Sequence, residues 1–79
     1  MRRKYTIHCA WDAEAEVWYV SDSNVPGLAT EADTPDALFQ KLLVMIPELV
    51  ELNEPDGDEE VPIELLCSRE ASVRIHRRY

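Results

Sequence analysis

Residues 18–38 constrain the fold more strongly than any other part of this 79-residue chain. The segment 17–21 is rich in β-branched and aromatic residues, which predicts a strand. Pro26 presets φ at one corner of a type II turn, and Gly27 accepts the positive φ that the next corner requires. After this turn, residues 28–32 are predicted to run back as a short second strand.

A helix is predicted to begin directly after this return strand. Thr34 is placed to cap its N-terminus, with Pro35 at the first helical position and Asp36 near the positive end of the helix dipole. Apolar residues then recur at helical spacing in two neighbouring stripes. The first stripe comprises Leu38, Leu42, Met45, Leu49 and Leu52, and the second comprises Phe39, Leu43, Ile46 and Val50. Pro47 removes one backbone hydrogen bond, but the stripes keep their phase across it, which favours one continuous, bent helix.

Two further strands flank this central block. Tyr5, Ile7, Cys9 and Trp11 alternate with less apolar residues, the pattern of a half-buried strand. Residues 12–16 form a short polar loop into the next strand. A last strand is predicted over residues 61–67, after a polar and acidic loop at 53–60. The alternation at 72–76 fits either an extension of that strand or a separate edge strand that folds back.

The order of these elements predicts the fold class. A helix that joins two strands of one sheet normally crosses right-handed and makes those strands parallel. The last strand is therefore expected beside the first, with the helix over one face of the sheet. The predicted fold is a single α+β domain over residues 1–79, a two-layer sandwich of order β-β-β-α-β.

The charge of the chain limits its partners. Its formal net charge of −8 argues against electrostatic binding of nucleic acid by the whole molecule. Lys41 is the single basic residue between the two ends; the others are Arg2, Arg3, Lys4, Arg69, Arg74, Arg77 and Arg78. These basic ends fit three interpretations: solvated termini, a modest phosphate-binding patch, or contacts with the acidic helix of a second copy. Trp11 and Trp18 lack interleaved basic residues, so they are interpreted as core or interface aromatics.

Cys9 and Cys67 are predicted to be buried free thiols, since a free cysteine packs like a small apolar residue. A disulfide would need an oxidising compartment, which nothing in the sequence indicates. Together with His76 the two cysteines make a weak zinc set, because the usual close spacing of ligands is missing. His8 and Cys9 are strand neighbours on opposite faces, so they cannot pair as base and nucleophile. No cofactor or metal is expected.

The central block resembles the HicB-like antitoxin family. That family shows an aromatic-x-Val strand, then Pro-Gly-Leu/Cys-x-Thr-x-x-Asp-Thr and an acidic helix start containing Ala-Leu. Here the matching segments are 18–20, 26–34 and 36–38, and the likeness extends over about residues 4 to 67. The chain is most similar to short, stand-alone HicB-like proteins whose function is not established. The resemblance implies a degenerate ribonuclease H-like sheet with one helix.

The resemblance also implies a non-enzymatic role: binding and neutralising a small, basic ribonuclease toxin of the HicA kind. An acidic body suits a basic partner, because long-range attraction speeds capture. The expected contact residues are the acids on the outer side of the helix and in the following loop: Glu48, Glu51, Glu54, Asp56, Asp58, Glu59 and Glu60. HicB proteins usually carry a C-terminal DNA-binding segment; this chain ends after Arg77-Arg78-Tyr79, so DNA binding is not expected.

Two other functions stay open. The chain can be an orphan homo-oligomer, a dimer or larger, which uses its wide apolar helix face and the second face of its sheet for self-association. A two-metal nuclease would require Asp12, Glu48 and Glu64 to converge on one site. No apolar run of about 18 residues is present, so no membrane span is expected. The N-terminus lacks the apolar stretch of a signal peptide, which favours a cytoplasmic location.

Overall fold

The computed structural model describes residues 4–53 and 60–78. Its elements, in chain order, are β1 (Tyr5–Asp12), β2 (Val17–Ser23), β3 (Glu31–Ala32), α1 (Pro35–Asn53) and β4 (Ile63–Ser68). The four strands form one sheet in the order β3-β2-β1-β4, and α1 packs on one of its faces. The predicted α+β two-layer sandwich of order β-β-β-α-β is confirmed.

The last strand lies beside the first, as predicted. β4 pairs with β1 in parallel, from Tyr5 opposite Ile63 to Ala10 opposite Ser68. β1 and β2 pair antiparallel, with an irregularity between His8 and Cys9. Side chains alternate between the faces of a strand, so the odd-numbered residues of β1 and β4 point toward α1. The opposite face, here called the outer sheet face, carries Thr6, His8, Asp12, Tyr19, Glu64 and Leu66.

The turn and the helix cap follow their local sequence signals. The carbonyl of Val25 accepts a hydrogen bond from the Leu28 N–H at 3.3 Å, and Gly27 has a φ of 74°. Thr34 Oγ1 accepts a hydrogen bond from the Ala37 N–H at 3.0 Å, so the predicted N-cap is confirmed. The return strand is shorter than predicted, since only Glu31–Ala32 pairs with β2 as a strand.

The helix buries one narrow stripe. α1 is continuous through Pro47, as predicted. Leu38, Leu42 and Ile46, spaced four residues apart, are buried against the sheet residues Tyr5, Ile7 and Cys9. Leu43, predicted for the adjoining stripe, is 46% exposed because a helix on one flat sheet face turns that side toward solvent. The side chain of Leu52 lies outside the described part of the chain. Within the described residues, no helix is long and apolar enough to cross a membrane.

The prediction of free thiols is wrong, because Cys9 and Cys67 form a disulfide. The parallel register sets the two residues directly opposite each other, with a Cα–Cα distance of 4.7 Å. Both side chains point to the α1 face, so the sulfur atoms meet. Cys9 is buried, whereas Cys67 on the edge strand is exposed. The bond fastens β4 to the centre of the sheet.

The C-terminal segment follows neither arrangement that the alternation at 72–76 allowed. Residues 69–78 are exposed throughout and belong to no strand. Val73 and Ile75, the apolar residues of the pattern, are 81% and 72% exposed. The segment thus leaves the body after β4 with all of its own side chains exposed.

Candidate functional site

The predicted contact residues fall into two groups. Glu48 and Glu51 are exposed on α1, and Glu60 is exposed shortly before β4. Glu54, Asp56, Asp58 and Glu59 lie outside the described part of the chain. The candidate protein-binding site among the described residues is therefore the solvent-exposed side of the second half of α1.

This outer helix surface comprises Leu43, Val44, Pro47, Glu48 and Glu51, all exposed. Helical spacing of three and four residues brings these side chains onto one side of α1. Val44 is 61% exposed and, with Leu43, makes an apolar patch next to two carboxylates. Protein interfaces combine apolar contact area with a polar rim, so this arrangement suits contact with another protein.

The backbone strengthens the negative charge at this end of the helix. α1 has an acidic residue, Asp36, in its first turn and no basic residue in its last turn. Unpaired carbonyls at a helix C-terminus carry about half a negative charge, so acids are unfavourable there. Glu51 therefore lies where its carboxylate adds to an uncompensated negative end. A positively charged partner would relieve this repulsion.

The first half of α1 has a different character. Lys41, its only basic residue, donates a hydrogen bond from Nζ to the carbonyl of Glu31 at 2.6 Å. This contact ties the helix to β3 and removes the ammonium group from the outer helix surface. Beside it runs an open groove lined by Thr30, Ala37, Gln40, Lys41, Val44 and Met45. The second half of α1 thus holds two acidic residues, Glu48 and Glu51, and no basic residue.

The three carboxylates of the nuclease alternative do not converge. Asp12 and Glu64 lie on the outer sheet face, whereas Glu48 lies on the helix across the sheet. Asp12 Oδ1 instead accepts hydrogen bonds from the N–H groups of Glu14 and Ala15 in the loop that follows, at 3.0 and 3.2 Å. Glu64 pairs with the ammonium of Lys4 at 3.3 Å. Among the described residues, no group of three potential metal ligands is assembled.

The zinc set is also not brought together. Cys9 and Cys67 are bonded to each other through their sulfur atoms, and His76 lies in the exposed C-terminal segment. The side chains of His8 and Cys9 lie on opposite faces of β1, one exposed and one buried, as predicted.

One contact escaped the sequence analysis. Trp11 and Trp18 lie side by side on β1 and β2, with ring centroids 5.5 Å apart, and the guanidinium of Arg69 lies 4.3 Å from the centroid of the Trp11 ring. The register of β1 and β4 brings Arg69 to Trp11, one step beyond Ala10 and Ser68, and the sequence alone does not show that register. A cation over an aromatic face is attractive, so this contact holds the start of the C-terminal segment against the sheet.

The phosphate-binding patch, one of the three interpretations of the basic ends, is not assembled from the described residues. Lys4 is engaged by Glu64 and Arg69 by Trp11, while Arg74, Arg77 and Arg78 are exposed farther along the C-terminal segment. Arg2 and Arg3 lie outside the described residues.

Comparison with known proteins places the chain among proteins without an assigned activity. Residues 4–77 match the model of a family described as a domain of unknown function, DUF1902. The chain is also similar to a solved structure, the hypothetical protein TTHA1013 from the extremely thermophilic bacterium Thermus thermophilus. The sequence identity is 41%, the TM-score is 0.67, and the likeness covers 92% of this chain and 100% of that one. No curated protein matches the chain.

Proposed function

Since the chain belongs to the DUF1902 family, whose description assigns no activity, we propose from its own surface that it is a non-enzymatic protein-binding domain. In this proposal it acts as a HicB-like antitoxin, covering and silencing a small, basic ribonuclease of the HicA kind. The observation that carries the proposal is the outer helix surface, where exposed Leu43 and Val44 adjoin Glu48 and Glu51.

The mechanism follows from the chemistry of such a partner. A ribonuclease that binds RNA presents basic residues around its active site, because phosphate contacts dominate affinity for RNA. An acidic helix end competes for those residues, while the apolar patch excludes water from the centre of the contact. The net charge of −8 steers the encounter before any contact forms. Inhibition then requires no reaction on this chain, only occupation of the RNA-binding surface.

The charge-neutralising variant E48Q/E51Q tests this proposal. We expect it to bind a HicA-type ribonuclease encoded in the same genome about tenfold more weakly than the wild type, since exposed charge pairs contribute about 0.2–1 kcal/mol each. Calorimetric titration measures the affinity, and cleavage of a labelled RNA measures the inhibition.

The matched control is E14Q/D22N, which removes two exposed carboxylates from the β1–β2 loop and the outer sheet face. It makes the same change in net charge away from α1, so it should keep nearly all of the affinity. Equal losses in both variants would show that only overall charge matters. Wild-type protein that leaves RNA cleavage unchanged at micromolar concentration would overturn the antitoxin role.

A cytoplasmic location belongs to the same proposal, because a ribonuclease toxin meets its RNA there. The Cys9–Cys67 disulfide weighs against it, since most cytosolic proteins keep their thiols reduced. Trapping thiols in the source cells at the moment of lysis tests this point. Recovery of the chain in the cytosolic fraction with the bond intact is the expected result, and recovery of the chain only outside the cells would contradict the cytoplasmic location.

A further inference from the structure

Beyond the proposed toxin binding, we propose that the C-terminal segment 71–77 is a strand donated to a second copy of this chain, where it pairs with the open edge of β4. The exchange is reciprocal, so that two copies form a symmetric dimer with one continuous sheet.

The segment has the sequence of a strand but no strand to pair with. Val73 and Ile75 alternate with Ser72, Arg74 and His76, the pattern of a strand with one apolar face. Within the described part of the chain, residues 70–78 take part in no hydrogen bond, ion pair or strand pairing. The radius of gyration is 16.7 Å, against about 12 Å for a compact domain of this length. Because Val73 and Ile75 are not buried in their own chain, we infer that a partner covers them.

The sheet offers a matching site. Among the described residues, β4 is an edge strand, because β1 is its one neighbour in the sheet order. The outward backbone groups of such an edge can pair with an added strand, which is a frequent mode of peptide recognition. Val61, Ile63 and Leu65 are half-buried along this edge, so an added strand would complete their coverage.

Symmetry fixes the direction of pairing. Each donated segment continues its own β4, so a two-fold axis between the copies makes the two long strands antiparallel. An uninterrupted strand keeps odd-numbered residues on one face. Val73 and Ile75 then lie on the α1 face with Ile63 and Leu65, while Arg74 and His76 share the outer sheet face with Glu64.

Charge favours the same arrangement. The C-terminal segment from Arg69 onward holds four of the eight basic residues but only one, Glu70, of the 16 acidic residues. A basic segment and an acidic body attract each other, which favours a contact between them. The point of departure is also fixed, because the Cys9–Cys67 disulfide and the Arg69–Trp11 contact anchor the chain just before the segment leaves.

The test is the mass of the full-length protein in solution, measured by light scattering and sedimentation over a hundredfold range of concentration. We expect a dimer of about twice 9.1 kDa for the wild type. The variant V73D/I75D should be a monomer that keeps the helical circular dichroism signal of the wild type, since both side chains are exposed in the single chain. A wild type that stays monomeric, or a V73D/I75D variant that stays dimeric, would overturn the proposal.

The control V44D places a charge on another exposed valine, on the outer helix surface, and should leave the dimer intact. It also separates the two proposals: V44D should weaken toxin binding without affecting the dimer, and V73D/I75D should do the reverse. Hydrogen exchange gives an independent readout, because amides 71–77 should gain protection as the concentration rises. Protection that does not depend on concentration would mean pairing within one chain and would refute the exchange.

Discussion

The Cys9–Cys67 disulfide joins the first and last strands across a sequence separation of 58 residues. A cross-link of this span restricts the unfolded chain and is expected to stabilise the fold by about 2–4 kcal/mol. C67S should therefore lower the free energy of unfolding by that amount, measured by urea denaturation without reductant. Position 67 is exposed, so a serine there is solvated, and the Cys9 thiol stays buried; packing therefore changes little.

The control for this prediction is the reductant itself. Dithiothreitol should bring the wild type down to the stability of C67S and leave C67S unchanged. Two reactive thiols per unfolded wild-type chain, found without any reductant, would contradict the bond.

Gly27 is the residue on which the Pro-Gly turn depends. Its φ of 74° is a conformation that a residue with Cβ adopts at a cost of about 1–2 kcal/mol. Space is not the obstacle, because a Cβ placed there would lie 3.9 Å from Leu49 Cδ2. G27A should lower the free energy of unfolding by about 1 kcal/mol relative to the wild type. G27N should lower it by less, since asparagine tolerates positive φ. Equal losses would place the cost in packing and not in the backbone.

Residue-scale features were predictable where their cause is local. Gly27 and Thr34 act on neighbours within three positions, so a short stretch of sequence contains the whole signal. The disulfide and the contact between Arg69 and Trp11 arise from the register of two strands separated by most of the chain. Sequence patterns predicted that β1 and β4 are neighbours, which allows Cys9 and Cys67 to approach each other, but not the register that sets them opposite. Free thiols were favoured because nothing in the sequence indicates an oxidising compartment.

At the scale of the element, α1 has a negatively charged side chain near its C-terminus, the negative end of the helix dipole. Glu51 lies near the negative end, where no basic residue compensates. E51Q alone should therefore raise the free energy of unfolding by about 0.3–1 kcal/mol, measured by thermal or urea denaturation. The same change made at the other end, D36N, should lower it, because Asp36 lies at the positive end of the helix. A loss of stability in E51Q would mean that its carboxylate has a stabilising partner in the monomer.

The helix also shows which part of a candidate site the sequence can supply. Its start follows from the capping signal at Thr34 and Pro35, and the exposure of Glu48 and Glu51 follows from the helical spacing of the apolar residues. The exposure of Leu43 does not, because apolar residues at helical spacing predict burial without saying how wide a surface the sheet covers. One sheet face covers a single stripe of the helix, through Leu38, Leu42 and Ile46. Apolar side chains beside that stripe, such as Leu43, remain exposed to solvent.

At the scale of the whole molecule, an acidic body adjoins a basic C-terminal segment. Salt should therefore change the stability of the fold and the affinity of the dimer in opposite directions. The body carries most of the 16 acidic residues and repels itself, so screening is expected to stabilise the fold. Attraction between the segment and a second copy is weakened by the same screening. Raising the ionic strength from 0.01 to 0.15 M shortens the Debye length from about 30 to about 8 Å. This change is large enough to weaken both the repulsion within the body and the attraction between two copies.

The expected outcome is a higher unfolding free energy for the monomeric variant V73D/I75D and a larger dissociation constant for the wild-type dimer, over one range of potassium chloride. Denaturation measures the first and sedimentation equilibrium the second. A general strengthening of apolar contacts by salt would raise stability and tighten the dimer together. If salt stabilises the fold but weakens the dimer, the acidic body repels itself within one copy and attracts the C-terminal segment of another copy. A dimer that tightens with salt would instead mean that apolar contacts of Val73 and Ile75 drive the association and that the arginines do not contribute to it.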